Sequence, residues 1–142
     1  MRIQDVLRQK GDTVATVRPS ATIAELLALL AEHRVGALVV SGEDEAMVGI
    51  VSERDVVRRL HERGPALLDE PVSAIMTTQV HTCGSRDLID DLMRAMTEQR
   101  IRHIPVVDGG ALVGIVSIGD IVKHRMNELE TERRQLEDYI AG

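Results

Sequence analysis

The chain has 142 residues, enough for one compact domain or two small ones. Its 17 Lys+Arg and 23 Asp+Glu residues give a formal net charge of −6, which argues against the concentrated basic face of a nucleic-acid or membrane-surface binder. One tyrosine and no phenylalanine or tryptophan exclude base-stacking platforms, and the single Cys83 excludes an internal disulfide and a Cys-x-x-Cys metal site. No apolar run approaches the roughly 18 residues of a membrane-spanning helix. These features predict a soluble protein of a reducing compartment, with no nucleic-acid or membrane partner.

The sequence repeats itself. When Val14–Val40 is laid over Val80–Val106, seven positions are identical and most other apolar positions meet apolar partners. After a one-residue deletion in a loop, Gly49–Ser52 falls on Gly114–Ser117. An ordered series of this length indicates a tandem duplication.

Each repeat has the same order of predicted elements. A short strand-like stretch precedes a helix whose apolar residues recur at helical spacing, and two strands and a second helix follow. Asp108-Gly109-Gly110 is a tight-turn signal, because glycine tolerates positive φ. We expect Ser20 and Ser85 to cap the first helix of each repeat. The predicted strands are Val14–Val17, Ala37–Val40 and Val48–Ser52, then Val80–Cys83, His103–Val107 and Leu112–Ser117, with second helices from near Glu53 and Ile118.

This order predicts an α/β fold of tandem, pseudo-twofold βαββα repeats with a long C-terminal helix. Glycine and proline near residues 64–71 mark a linker, after which Val72–Met76 echoes Ile3–Leu7. We therefore divide the chain into a first repeat at residues 1–66, a second at 67–125 and a helical tail at 126–142. Because about 65 residues are too few for an adequate core, we expect the repeats to share one core in a single domain.

The tail carries apolar residues in alternating steps of four and three, with one charged interruption. Such a seam predicts pairing with the helix of a second subunit, and the alternative is a helix that lies on its own domain. The seam residues are Val122, Met126, Leu129, Arg133, Leu136 and Ile140.

The sequence contains no recognisable motif for catalysis or metal binding. The five histidines are scattered without metal-ligand spacing, and Cys83 falls in a predicted strand, where a half-buried structural role is the ordinary explanation. The chain also lacks a Gly-x-Ser-x-Gly elbow, a phosphate loop and a Gly-x-Gly-x-x-Gly motif. We predict that the protein is not an enzyme and has no catalytic residue, no metal site and no catalytic cofactor.

A Ser-x-x-Asp motif recurs in register in both repeats. Ser52 and Ser117 end a strand, and Asp55 and Asp120 follow in the first turn of a helix. A helix start suits a phosphate, a serine hydroxyl can donate to a phosphate oxygen, and a carboxylate can accept from vicinal ribose hydroxyls. The alternative is that the serine is only an N-cap and the aspartate only a favourable first-turn charge. Two copies in register favour the binding role.

These motifs resemble those of a known family. Gly49-Ile50-Val51-Ser52-Glu53-Arg54-Asp55 and Gly114-Ile115-Val116-Ser117-Ile118-Gly119-Asp120 look like the signature of CBS (cystathionine β-synthase) domains. Val35–Val40 and Arg102–Val107 look like the second strand of the same family. The resemblance runs from Ile3 to about Lys123, and the whole arrangement resembles small stand-alone bacterial proteins made of one CBS-domain pair, or Bateman module.

The resemblance implies an adenosyl ligand such as AMP, ADP, ATP, NAD or S-adenosylmethionine in a cleft of each repeat. Asp55 and Asp120 would then hold ribose hydroxyls, and Ser52 and Ser117 would reach phosphate. The strand residues Thr16 and Thr82 would border adenine. Three further groups complete the predicted binding residues: the aliphatic clamp Val35, Ile101 and Ile104; the second-strand positions Gly36, Ala37, Arg102, His103 and Pro105; and the basic Arg54.

The two clefts differ in charge. Arg102 and His103 stand where the first repeat has Gly36 and Ala37, while Arg54 stands where the second has Gly119. We therefore expect unequal binding of anions by the two clefts. Further phosphate candidates, each equally explicable as a surface charge, are Lys10, Arg100 and Lys123.

The resulting prediction is a cytoplasmic adenine-nucleotide-binding regulatory module for signal transduction, homodimeric through its helices, with an unknown protein effector. Two other classes stay open. One is a ligand-free dimerisation or interaction scaffold, and the other is an enzyme that acts on a bound nucleotide. Among the adenosyl ligands, S-adenosylmethionine is the alternative to AMP, ATP or NAD.

Overall fold

The computed structural model describes residues 1–11 and 14–142, which divide into two compact units. We call residues 14–81 the Asp55 unit, and residues 1–11 with 82–142 the Asp120 unit. The helices are α1 (Ile3–Lys10), α2 (Ile23–His33), α3 (Glu53–Arg63), α4 (Ile89–Gln99) and α5 (Ile118–Ala141). The strands are β1 (Thr16–Val17), β2 (Ala37–Ser41), β3 (Met47–Ser52), β4 (His103–Asp108) and β5 (Ala111–Ser117). The α/β fold with a long C-terminal helix is confirmed.

The Asp55 unit contains a three-stranded sheet in the order β1-β2-β3. β1 runs parallel to β2, with Val17 opposite Val40, and β2 runs antiparallel to β3, with Ala37 opposite Ser52. All five residues of β2 are buried, because the strand is central in the sheet. α2 and α3 pack in the same unit and contribute Leu26 and Val56 to its core.

The Asp120 unit repeats this plan with β4 antiparallel to β5. The predicted tight turn is confirmed: Asp108 pairs with Ala111, and Gly109 and Gly110 between them have φ of 57° and 82°, which glycine adopts without strain. The predicted strand Val80–Cys83 reduces to one parallel bridge between Cys83 and Val106. Pro105 stands where β2 has Val39 and has no N–H with which to extend the ladder.

The two sequence repeats exchange their leading segments. In the Asp120 unit, the N–H groups of Ile3 and Gln4 donate to the carbonyls of Asp87 and Ser85 at 2.9 and 2.8 Å. In the Asp55 unit, the N–H groups of residues 72 and 73 donate to the equivalent carbonyls of residues 21 and 19 at 2.8 and 3.0 Å. Each sequence repeat thus begins with a segment that packs in the unit formed by the other repeat.

Two expectations were wrong. Within residues 1–11 and 14–142, the buried side chains form one core cluster in each unit, where the sequence predicted one shared core. The exchanged segments explain this, since Ile3 and Val6 complete one cluster and Val72 and Ile75 the other. The predicted caps Ser20 and Ser85 are also not caps: α2 is capped by Thr22, whose Oγ1 accepts from the Glu25 N–H, and α4 begins after Leu88 without a side-chain cap.

Candidate functional site

The Ser52–Asp55 motif forms a capping box at the start of α3. The Ser52 Oγ accepts from the Asp55 N–H at 3.3 Å, and the Asp55 Oδ2 accepts from the Ser52 N–H at 2.9 Å. The Ser52 hydroxyl also donates to the same Oδ2 at 3.1 Å. Both side chains are half-buried. The helix begins at the residue after Ser52 because these reciprocal bonds satisfy backbone groups that have no partner inside the helix.

The Ser117–Asp120 motif forms the matching box at the start of α5. The Ser117 Oγ accepts from the Asp120 N–H at 3.1 Å, and the Asp120 Oδ2 accepts from the Ser117 N–H at 2.9 Å. The same Oδ2 lies 2.7 Å from Lys10 Nζ, at the end of α1. Burial alone would raise the pKa of Asp120, but the bonds from Lys10 and from the Ser117 backbone lower it below its usual value.

The sheets place the second-strand residues beside the boxes. Ala37 pairs with Ser52, and the Gly36 carbonyl accepts from the Glu53 N–H at 2.9 Å. In the Asp120 unit His103 pairs with Ser117, and the Arg102 carbonyl accepts from the Ile118 N–H at the same distance. The strand end and the helix start are therefore locked together in the same way in both units.

The other predicted site residues differ in exposure. Thr16, Arg54, Thr82 and Arg102 are exposed, and Val35, Gly36, Ile101 and His103 are half-buried. Ala37, Ile104 and Pro105 are buried, and Ile104 belongs to the core of the Asp120 unit. Of the predicted aliphatic clamp, only Val35 and Ile101 present side chains that are partly exposed.

The sequence did not indicate the pairing of Lys10 with Asp120. Lys10 stood out only as one of three phosphate candidates, and the two residues are 110 positions apart. The pairing follows from the exchange of leading segments, which brings the end of α1 to the start of α5. A residue of the first repeat thus completes the Ser–Asp box of the second.

Two further titratable side chains, Cys83 and His124, are buried. Burial, helped by the carboxylates Asp87 and Asp108, raises the pKa of Cys83 to about 12, so the thiol stays protonated and unreactive. His124 is buried on α5, where its Nδ1 lies 3.2 Å from the Gln9 Oε1. Its Nε2 lies 3.0 Å from the Glu128 Oε1 without the alignment of a hydrogen bond.

Among the described residues no group of histidine, cysteine and carboxylate side chains is arranged to hold a metal ion. None of the helices described is both long enough and apolar enough to span a bilayer.

Comparison with known proteins agrees with this geometry. The family model of the CBS domain matches residues 4–62 and 72–127. The mitochondrial CBS domain-containing protein CBSX3 of Arabidopsis thaliana is 34% identical to this chain over an alignment of 148 residues, gaps included. The alignment covers 99% of this chain and 72% of that protein.

Solved structures are similar as well. The CBS-domain protein ATU1752 of Agrobacterium tumefaciens has a TM-score of 0.85 at 43% identity, and the match covers 87% of this chain and 92% of that one. The CBS domain protein PAE2072 of Pyrobaculum aerophilum, solved in complex with AMP, has a TM-score of 0.75 at 34% identity, covering 84% and 89%. The chain therefore belongs to the CBS domain family and is a regulatory module built from a pair of CBS domains.

Proposed function

We propose that this CBS-domain pair is a sensor of adenine nucleotides that does no chemistry of its own. The observation that carries the proposal is the recurrence of one Ser–Asp box in both units, each box at a helix start and beside the end of a sheet. The complex of the similar PAE2072 protein with AMP supports the ligand class. AMP, ATP and NAD share the adenosine ribose that the boxes would recognise, and S-adenosylmethionine is the alternative ligand.

Each carboxylate keeps one oxygen for a ligand. The bonds from the Ser52 N–H and hydroxyl, from the Ser117 N–H and from Lys10 Nζ all end on Oδ2, so the Oδ1 of each carboxylate faces away from these donors. A carboxylate oxygen can accept from the vicinal hydroxyls of a ribose. The neighbouring helix start offers backbone N–H groups and a partial positive field to a phosphate.

The ligand would act through differential binding. A nucleotide that binds one conformation of the protein more tightly shifts the population toward it, and the shift changes affinity for an effector protein. The effector is unknown, and residence in the cytoplasm stays a prediction.

Titration calorimetry on nucleotide-stripped protein tests the proposal, with AMP, ATP, NAD and S-adenosylmethionine as probes. We expect Asp55→Ala and Asp120→Ala each to weaken one site by about a hundredfold or more, because each removes charge-assisted hydrogen bonds to the ribose. Asp5→Ala is the matched control, since Asp5 also caps a helix, accepting from the Arg2 N–H, but lies outside both boxes.

Three results would contradict the proposal. Absence of binding heat with all four probes would remove the sensing role. If the two box variants lowered thermal stability yet bound as wild type does, the boxes would be helix caps only, as in the scaffold alternative. Turnover of ATP or NAD by the pure protein would instead support the enzyme alternative.

We further propose that α5 pairs with α5 of a second copy of the chain. The seam residues are exposed along the helix, including Met126 and Leu129 at 64% and 62%. In a parallel pair, the two Arg133 side chains would face each other across the seam. In an antiparallel pair centred on Thr131, each Arg133 faces Leu129 of the other copy and lies near its acidic Glu130 and Glu132. Charge therefore favours the antiparallel homodimer.

Light scattering after gel filtration tests the pairing. Leu129→Glu should yield monomer, whereas Thr131→Glu, on the opposite face of the helix, should leave the dimer intact. Spin labels on Tyr139→Cys should lie about 25 Å apart in the antiparallel pair and about 10–15 Å apart in a parallel one. The native thiol does not interfere, because Cys83 is buried. A monomeric wild type, or the shorter distance, would contradict this arrangement.

A further inference from the structure

The two Ser–Asp boxes differ in one donor. In the Asp55 unit the second donor to the carboxylate Oδ2 is the Ser52 hydroxyl, at 3.1 Å. In the Asp120 unit Lys10 Nζ donates to the carboxylate as well, at 2.7 Å. Lys10 is thus a donor to Asp120 that has no counterpart at Asp55 in the described part of the chain.

Each serine bonds within its own box. The Ser117 Oγ accepts from the Asp120 N–H, and the Ser117 side chain also hydrogen-bonds to the Asp120 carboxyl group. The Ser52 hydroxyl likewise donates to Asp55. The two boxes therefore differ in the ammonium group that Lys10 adds to one of them, and not in their serines.

The position of Lys10 is fixed by its surroundings. Lys10 Nζ also donates to the Ile115 carbonyl at 2.7 Å, and the side chain of the preceding Gln9 meets His124 at 3.2 Å. In the Asp55 unit the carbonyl equivalent to Ile115, that of Ile50, accepts instead from the Thr77 backbone at 2.8 Å. The lysine therefore belongs to the Asp120 box alone.

The two boxes also differ in charge. Lys10 compensates Asp120, and the two side chains are only 29% and 25% exposed, so solvent screens the pair less than a surface pair. In the described part of the chain no cationic side chain lies within ion-pair distance of Asp55. An incoming phosphate thus meets a neutral lysine–aspartate pair at one box and an uncompensated carboxylate at the other.

We propose that Lys10 is a specificity-determining residue, which makes the Asp120 box the one that selects ligands carrying a phosphate next to the ribose. The Asp55 box then discriminates less between a nucleoside and its phosphate. This inference rests on the proposed nucleotide binding. It identifies the Asp120 box as the site that recognises the phosphate and Lys10 as the residue responsible.

The experiment isolates each site and compares AMP with adenosine by titration calorimetry. The Asp55→Ala protein retains the Asp120 box, and the Asp120→Ala protein retains the Asp55 box. In the first background, Lys10→Met should lower the ratio of AMP affinity to adenosine affinity by tenfold or more. In the second background, Lys10→Met should leave that ratio within about twofold, because the lysine is not part of the Asp55 box.

Two variants control for charge and for folding. Arg8→Met removes an exposed charge from the same helix and should leave the ratio unchanged. Lys10→Arg keeps the charge and should keep most of the preference for AMP, even if Lys10→Met lowers thermal stability.

The outcomes separate the two proposals. If neither AMP nor adenosine binds the wild type, the nucleotide-sensing role fails. If AMP binds the Asp120 box but Lys10→Met changes the ratio no more than Arg8→Met does, nucleotide sensing stands and the role of Lys10 is overturned. A rise in AMP affinity in Lys10→Met would also overturn it, since the lysine would then block the site.

Discussion

The Asp55 and Asp120 units share a backbone framework but not their side-chain chemistry. The hydrogen bonds of the leading segments recur between equivalent atoms, and so do the bonds that join strand end to helix start. The box carboxylates differ, because among the described residues Asp120 is paired with a lysine and Asp55 is not. The backbone pattern is therefore the same in the two units, while the polar groups at the helix starts differ. The comparison therefore separates what maintains the fold from what distinguishes the two sites.

The largest expected effect tests the exchange of leading segments. Ile3 and Val72 are fully buried, and each completes the core of the unit formed by the other sequence repeat. We expect Ile3→Ala to cost about 2–4 kcal/mol, because it leaves a cavity, and Val72→Ala somewhat less. Hydrogen exchange should show Ile3→Ala lowering protection in β4 and β5, and Val72→Ala lowering it in β2 and β3.

Met1→Ala is the control, since Met1 is half-exposed and contributes to neither core. Loss of protection in β2 and β3 upon Ile3→Ala would show that the leading segment stabilises its own repeat instead. An equal loss in all strands would mean that the two units unfold together.

Equivalent glycines in β3 and β5 give the next largest effect. A Cβ at Gly49 would lie 2.8 Å from the Thr77 backbone oxygen, whereas one at Gly114 would lie 2.6 Å from the Leu7 side chain. The Thr77 backbone is held by two bonds to Ile50, but a leucine side chain can rotate. Urea unfolding should show a loss of about 2–3 kcal/mol for Gly49→Ala and about 1 kcal/mol for Gly114→Ala.

Gly119→Ala is the control for these glycines. It lies in the first turn of α5, and its Cβ would make an ordinary contact 3.7 Å from the Ser117 Oγ. Equal losses at Gly49 and Gly114 would show that the Thr77 segment moves as readily as Leu7 does.

Local patterns in the sequence predicted most of the fold. The apolar spacing predicted α2 and α4, and the motif predicted that the second helices begin at Glu53 and Ile118. The predicted N-cap of α2 was wrong because serine and threonine have similar capping chemistry. The sequence alone therefore does not distinguish Ser20 from Thr22, which is the cap in the structure. The shared core was wrong because the exchange of leading segments depends on contacts between residues far apart in sequence.

The candidate site was predictable only in part. The Ser–Asp spacing indicated both boxes, since a capping box is a local motif. The partner of Asp120 was not predictable, because nothing near Lys10 in sequence distinguishes it from other surface lysines. The burial of Ile104 likewise depends on which face of β4 the core covers.

The pH dependence of stability should reveal the Lys10–Asp120 pair. Because the pKa of Asp120 is lowered in the folded protein, its stabilising contribution is complete above the unfolded pKa, near 4, and is lost as the pH falls through the folded pKa. Urea unfolding between about pH 2 and 6 should therefore show Lys10→Met less stable than wild type at the upper end, with the difference vanishing at the lower end.

Arg8→Met, which removes an equal charge from the exposed surface of α1, is the matched control for that experiment. A difference between wild type and Lys10→Met that stays constant across the range would show that the lysine stabilises through packing of its stem.

The smallest expected effect tests how closely the backbone conformations of the two units match at the ends of α2 and α4. α2 and α4 both end at an arginine in the left-handed conformation, Arg34 with φ of 55° and Arg100 with φ of 54°. Glycine adopts this conformation without the steric cost that an arginine bears, although it loses more entropy on folding. Arg34→Gly and Arg100→Gly should each stabilise the protein by about 0.5–1 kcal/mol, measured by urea unfolding of the unit concerned. Because the dihedral angles match, the two gains should agree within about 0.3 kcal/mol. A clearly smaller gain in stability at one position would mean that its arginine makes a stabilising contact that glycine cannot make. At Arg100 that result would favour a role as a phosphate ligand.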